Sequence, residues 1–106
     1  MKYRVIFSPE AEEQLANLYR YIAAAASPVI AERYVNSIIS YCETLETSPL
    51  RGISREDIRP GLRITNYKGR TVIAFALDEK QASIIGVFYG GQDYETALQE
   101  DLEGDS

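Results

Sequence analysis

Residues 59–91 read RPGLRITNYKGRTVIAFALDEKQASIIGVFYGG, and this stretch decides the fold of the chain. Runs of β-branched and aromatic residues alternate here with short polar or glycine-containing breaks, which predicts three consecutive antiparallel strands. The predicted strands cover residues 62–67, 71–77 and 82–89. Between the first two, Lys68-Gly69 supplies the glycine that a two-residue hairpin turn needs at positive φ.

The middle run, residues 71–77, is apolar on both faces of the predicted strand. The larger side chains lie on one face and the smaller ones on the other: Thr71, Ile73, Phe75 and Leu77 against Val72, Ala74 and Ala76. This pattern predicts a central strand whose small residues lie on the less deeply packed face. A three-strand meander cannot bury its own apolar face, so another element must cover it.

The first half of the chain predicts a strand and two helices that supply this cover. Residues 2–8 alternate in the manner of a strand with one solvated face. Ser8-Pro9 and Ser27-Pro28 each offer a helix cap followed by a proline at the first helical position, and Ser48-Pro49 is expected to end the second helix. The apolar stripes of these helices are Ala11, Leu15, Leu18 and Ile22, then Ala31, Val35, Ile38, Cys42 and Leu45.

Two helices joined by so short a turn are expected to form an antiparallel hairpin. The predicted fold is therefore α+β in the order β-α-α-β-β-β, an antiparallel sheet covered on one face by an N-terminal helical hairpin. Residues 48–60 are expected to be a polar linker between the hairpin and the sheet.

Composition and charge fit a small globular domain followed by an acidic tail. The chain has 106 residues, of which 45% are apolar and 25% are charged, so wholesale disorder is excluded. Residues 49–94 carry a net charge of +2 and residues 95–106 a net charge of −5. We expect one domain over residues 1–94, with a short helical turn over residues 92–102 and a frayed end. The basic footprint is too weak for direct sequence-specific binding of nucleic acid.

Several function classes are excluded or disfavoured by residue content. No membrane span or signal peptide is expected, which favours a cytoplasmic protein. The chain has no histidine and a single cysteine, Cys42, so neither a transition-metal site nor a Ser-His-Asp arrangement is expected. No cofactor is expected, because the glycines do not have the spacing of a phosphate-binding loop.

Arginine and tyrosine on the predicted sheet are the remaining candidates for chemistry. Arg63 alternates with Leu62 and Ile64, so it is expected to face away from the core, with Thr65 and Tyr67. Tyr89 ends the last strand and precedes two glycines that allow a ligand to approach closely. A solvated Arg63 and a rim aromatic at Tyr89 are the structural alternative.

Tyrosine is used heavily, with eight residues against no tryptophan. Tyr34 and Tyr41 flank the apolar stripe of the second helix, and Tyr19 and Tyr21 flank that of the first. Tyrosine is favoured where one side of a residue is apolar and the other wet, as at interfaces. An equally supported interpretation is that these side chains seal the seam between the helices.

The element order, together with RPGLR at residues 59–63, NYKGRTVIAFAL at 66–77 and IIGVFYGGQD at 84–93, resembles the ParE toxins of the RelE/ParE toxin–antitoxin superfamily. The opening YRVIFSPEAEEQLANLYRYIA at residues 3–23 is similar to that family's first strand and helix. The resemblance implies a toxin held inactive by a ParD-like antitoxin whose C-terminal segment wraps it.

Within this superfamily, resemblance to ParE implies inhibition of DNA gyrase, and resemblance to RelE implies ribosome-dependent mRNA cleavage. Many members have histidine where this chain has Tyr89 and an arginine close to Gln92. These departures favour a gyrase inhibitor over a ribonuclease, and a non-toxic antitoxin-binding module is the third alternative. The candidate catalytic residues, if the chain is a ribonuclease, are Arg63 and Tyr89. The candidate partner-binding residues are Tyr19, Tyr34, Tyr41, Arg59 and Arg63.

Overall fold

The computed structural model describes residues 2–90 and Leu98. Residues 2–90 form two α-helices and a five-stranded sheet, so the predicted α+β class with its N-terminal helical hairpin is confirmed. The elements are β1 (Arg4–Phe7), α1 (Pro9–Ala25), α2 (Pro28–Glu43), β2 (Ile53–Ser54), β3 (Leu62–Tyr67), β4 (Thr71–Leu77) and β5 (Gln81–Tyr89). Within these residues no helix is long and apolar enough to cross a membrane.

The sheet has the strand order β1-β5-β4-β3-β2, which places β4 at its centre as its two apolar faces predict. The structure adds two features to the predicted sheet. First, β1 pairs in parallel with β5, so the sheet is mixed at this edge. Second, the segment expected to be a polar linker contains β2, a two-residue strand that pairs with β3 at the other edge.

Both helices begin where their sequences predict. The Oγ atom of Ser8 accepts a hydrogen bond from the Ala11 amide at 3.1 Å, and that of Ser27 accepts one from the Ile30 amide at 3.2 Å. The end of α2 was predicted less well. The α-helix stops at Glu43 and continues as a 3₁₀ turn, Thr44–Glu46, whose Leu45 is fully buried.

The turn between β3 and β4 has three residues, because Tyr67 pairs with Thr71. The prediction of a two-residue turn was therefore wrong by one position, while its requirement for positive φ was right. Lys68 has φ 53° and Gly69 has φ 73°. With these two residues in the left-handed region, the chain turns from β3 into β4 and the ladder of hydrogen bonds stays intact up to the turn.

The hairpin core lies between the two helices and one face of the sheet. The helical stripes supply Leu15, Leu18 and Ile38, and the strands supply residues such as Phe75 and Ile84. Cys42 is fully buried in this core, and burial raises the pKa of its thiol to about 12. A thiol that stays protonated at neutral pH is unreactive, as expected of a buried apolar residue.

The opposite face of the sheet carries a second, smaller cluster, which we call the back core. Its buried members are Ile58, Leu62, Ile64, Ala74, Phe88 and Leu98. Leu98 is helical and 3% exposed, so the chain beyond β5 contributes at least this side chain to the fold. The other residues of the predicted helical turn at 92–102 and of the tail at 95–106 lie outside the described part of the chain.

Candidate functional site

A row of aromatic side chains lies where the helical hairpin meets the β3–β4 end of the sheet. The ring centroids of Tyr21 and Tyr89 are 6.0 Å apart, and those of Tyr89 and Tyr34 are 5.9 Å apart. Tyr67 continues the row, 6.4 Å from Tyr34 and 4.9 Å from Tyr41. We call these five residues the tyrosine row.

Two members of the tyrosine row are fixed to the sheet by hydrogen bonds. The Tyr34 hydroxyl lies 2.8 Å from Oγ1 of Thr71, and the Tyr41 hydroxyl lies 3.0 Å from Oγ1 of Thr65. Both threonines are buried, so these bonds satisfy polar groups inside the hairpin–sheet interface. Tyr34 and Tyr41 therefore seal a seam, which lies between α2 and the sheet rather than between the two helices.

Cationic side chains lie along the tyrosine row. The guanidinium carbon of Arg51 is 4.9 Å from the centroid of the Tyr41 ring, and Nζ of Lys68 is 5.5 Å from that of Tyr67. Both distances are within the range in which a cation is attracted to the face of an aromatic ring. The exposed edge of the hairpin–sheet seam is thus aromatic and positively charged.

Arg63 lies on the face of β3 opposite Leu62 and Ile64, as predicted, but this face is not solvated, because each face of β3 packs against its own core. Leu62 and Ile64 enter the back core, and Arg63 is the cross-strand partner of Phe75 on the hairpin side. There its Nε donates to the Arg51 carbonyl at 3.1 Å. Its Nη2 donates to the carbonyls of Leu50 and Gly52 at 2.9 and 3.1 Å. Arg63 is therefore half-buried, and its hydrogen bonds hold residues 50–52 against β3.

The two candidate catalytic residues, Arg63 and Tyr89, do not lie close together. Arg63 on β3 lies opposite Phe75 of β4, whereas Tyr89 on β5, at the other side of β4, lies opposite Thr71, which is four residues before Phe75. Strand geometry separates their backbones by about 13 Å along the sheet and about 10 Å across it. Because the Arg63 guanidinium is also held on the carbonyls of residues 50–52, the side chains of Arg63 and Tyr89 do not meet at one phosphate group.

Of the candidate partner-binding residues, Tyr19, Arg59 and Arg63 are not members of the tyrosine row. Tyr19 lies on α1 and is 36% exposed. Arg59 is half-buried in the turn before β3, where its amide donates to the Arg55 carbonyl. In the same turn Arg55 forms a bidentate pair with Asp57 at 2.8 and 2.9 Å, and this hydrogen bonding holds the pKa of the Asp57 carboxyl below its usual value.

A groove of about 480 Å³ runs between α1 and the end of β5, next to the tyrosine row. Its lining residues are Gln14, Asn17, Leu18, Tyr21, Arg70, Val87, Tyr89 and Gly90. Oε1 of Gln14 accepts a hydrogen bond of 2.7 Å from the Val87 amide. The sequence did not point to Gln14, because a polar residue beside an apolar helical stripe is an ordinary surface feature.

The comparisons with known proteins agree with this architecture. Residues 5–94 match the family model described as ParE toxin of type II toxin-antitoxin system, parDE. The chain belongs to the ParE toxin family. The match extends from β1 through the end of β5, so it includes both sides of the groove and the whole tyrosine row.

A solved structure shows the same fold as this ParE family member. A chain from the chromosomal ParDE toxin–antitoxin system of P. aeruginosa superposes with a TM-score of 0.73 at 18% sequence identity. The superposition covers 84% of this chain and 97% of that chain. No curated protein sequence matches the chain.

Proposed function

We propose that this ParE family member is a toxin that binds and inhibits DNA gyrase and is neutralised by a cognate antitoxin. Membership of the ParE family over residues 5–94 is the observation that carries this proposal. The proposed site of action is the cytoplasm, and the toxin domain is proposed to span residues 1–94, with Leu98 of the following segment packed in its back core. The acidic residues 95–106 are proposed not to be the toxic element, because their charge opposes binding to nucleic acid.

The geometry of the predicted ribonuclease residues supports a binding function over an enzymatic one. Cleavage at an RNA 2′-hydroxyl needs one group to take its proton, another to protonate the leaving oxygen, and cations on the phosphate. The sequence has no histidine, and Arg63 already donates to three backbone carbonyls. Arg63 is also far from Tyr89, so the two candidate catalytic residues do not form one active site.

The antitoxin is proposed to be ParD-like and to contact the toxin with its C-terminal segment. The exposed edge of the hairpin–sheet seam offers aromatic rings with adjacent cations, which are side chains common at protein interfaces. The proposed contacts are Tyr19, Tyr34, Tyr41, Arg59 and Arg63. Because Tyr34 and Tyr41 are bonded to the sheet, the antitoxin is proposed to contact their exposed ring edges without displacing them.

Purified chain assayed in parallel against gyrase and against translating ribosomes tests this proposal. We expect inhibition of ATP-dependent supercoiling at micromolar protein, relief of that inhibition by the antitoxin, and intact mRNA on the ribosome. Tyr89→Phe removes only a hydroxyl and should leave gyrase inhibition within about twofold, since no proton transfer is involved. Tyr21→Phe, in the same row, is the matched control.

Two outcomes would contradict the proposal. Codon-dependent cuts in mRNA that disappear in Tyr89→Phe but persist in Tyr21→Phe would establish the ribonuclease. Binding of the antitoxin without any effect on gyrase or ribosomes would leave the non-toxic binding module as the function.

A further inference from the structure

One edge of β5 changes partner half-way along its length. Strand β1 pairs with β5 from Gln81 to Ile84, and the Ser8 amide then donates to the Ile84 carbonyl at 2.9 Å. The chain enters α1 immediately afterwards, at Pro9. Beyond Ile84, this edge of β5 therefore faces the side chains of α1 instead of a strand of the described chain.

Gln14 occupies the place that a neighbouring strand would take. The Val87 amide lies opposite Ile73 of β4 in the ladder but donates to Oε1 of Gln14 at 2.7 Å. A carboxamide carries the same acceptor as a peptide group, so Gln14 stands in for one peptide unit of an absent strand. Satisfying an exposed strand edge with a side chain is a way to prevent unwanted strand addition.

The groove beside this edge has the size and lining for a short extended segment. An extended residue spans about 3.3 Å, and pockets that hold small ligands measure about 300–1,000 Å³, so a groove of this volume accommodates a few residues. The rings of Tyr21 and Tyr89 supply apolar surface, and Gln14 and Asn17 supply amides. Arg70 is the cation among the lining residues, and the lining contributed by the described residues includes no carboxylate.

We propose that the edge of β5 at Val87 receives a short extended segment of the antitoxin that carries a carboxylate. A backbone carbonyl of the segment replaces Oε1 of Gln14 on the Val87 amide, and the carboxylate binds Arg70. Such strand addition draws affinity from main-chain hydrogen bonds and specificity from the side chains of the groove. The identity of the partner rests on the proposed function, whereas the edge, its cap and the charge of the groove come from the fold.

Two nearly isosteric substitutions of Gln14 test the proposal with opposite expected signs. Gln14→Met removes the competing acceptor, so the antitoxin should bind about threefold to tenfold more tightly, the equivalent of one hydrogen bond that no longer has to be broken. Gln14→Glu keeps the acceptor and pairs with Arg70 itself, so binding should weaken about tenfold. A purely structural role for Gln14 would weaken binding in both variants.

The measurements are titration calorimetry with the purified full-length cognate antitoxin and hydrogen exchange at the Val87 amide. In free Gln14→Met the amide should exchange faster than in the unmodified chain, and the antitoxin should restore its protection. Arg70→Gln should weaken binding about threefold to tenfold and reduce its salt dependence. Asn36→Asp, on the exposed side of α2, controls for the added charge, and thermal melts confirm that every variant is folded.

The outcomes separate failure of this inference from failure of the proposed function. Antitoxin binding with equal affinity in Gln14→Met, Gln14→Glu and unmodified chain, and with no protection of Val87, overturns the strand-addition site and leaves the toxin function intact. A complete lack of antitoxin binding overturns both. Dimers of Gln14→Met in sedimentation experiments without antitoxin would assign the edge to a second copy of this chain instead.

Discussion

Arg63 and Gly52 act together to hold the loop that follows the helical hairpin. Arg63 donates to the carbonyls of residues 50–52, and this arrangement requires the loop to lie directly against β3. Gly52 allows that approach because it has φ +77° and no side chain. A Cβ atom at this position would lie 2.1 Å from the Ile64 carbonyl oxygen. The sequence pattern suggested a solvated or catalytic role for Arg63, whereas its contacts show that it stabilises this loop.

A matched pair of glycine substitutions tests this description. Gly69 has a similar φ of +73°, but a Cβ atom there would meet nothing within 4 Å. Gly69→Ala should therefore cost about 1–2 kcal/mol, the strain of a left-handed alanine alone. Gly52→Ala should cost about 3 kcal/mol or more, because the backbone of the loop or of β3 must also move. Urea unfolding of both variants measures the difference, and equal losses would show that the loop does not need the close approach.

At the scale of single elements, β5 determines the composition of the candidate site. Its register shifts so that Ala74 pairs with Gly86 while Phe75 pairs with Ile84, which leaves Ile85 without an opposite residue. Such a bulge exchanges the faces of the residues that follow it. Ile84 and Val87 consequently both lie in the hairpin core, and Tyr89 lies on that same side in the tyrosine row.

The segment after β5 is expected to contribute to stability through Leu98. Leu98→Ala should lower the free energy of unfolding by about 2–4 kcal/mol, because a buried leucine is removed from the back core. Deleting residues 103–106 should leave both stability and antitoxin binding unchanged. Leu50→Ala is the control, since Leu50 is 73% exposed and its truncation should change stability by less than about 0.5 kcal/mol. A marked loss of stability on the deletion, or none for Leu98→Ala, would contradict this division of the C-terminal segment.

At the scale of the whole molecule, the hairpin core and the back core are built on the same strands. Ile73 and Ala74 are neighbours on β4, yet one lies in each core, and Val87 and Phe88 do the same on β5. A loss of packing on one face therefore disturbs the strands that support the other. Small domains with such shared elements unfold as a single cooperative unit.

Thermal unfolding followed on both faces tests this coupling. Far-UV circular dichroism reports mainly on the helical hairpin, and methyl NMR signals of Ile58 and Ile64 report on the back core. The two midpoints should coincide in the unmodified chain, and Leu98→Ala should lower both by the same amount because the cores share β4 and β5. An earlier transition in the isoleucine signals alone would show that the back core unfolds independently.

The sequence by itself determined the elements and their order. Helix caps at Ser8 and Ser27, the apolar stripes of α1, and the three runs of the meander are local signals, and each gives an element within a few residues of its observed bounds. The two apolar faces of residues 71–77 likewise indicated a central strand. Family motifs in the same stretches gave the ParE resemblance that the family match confirms.

The tertiary structure decided which side chains meet. The packed environment of Arg63 could not be predicted from β3 alone, because alternation distinguishes two faces without showing that both are packed. The position of Tyr89 depends on a bulge set by the pairing of β5 with β4, and the parallel pairing of β1 decides where the edge at Val87 begins. Local sequence patterns specify the conformation of a segment. Register, strand order and contacts between distant segments depend on the packing of the whole chain, and the groove and the tyrosine row are made of such contacts.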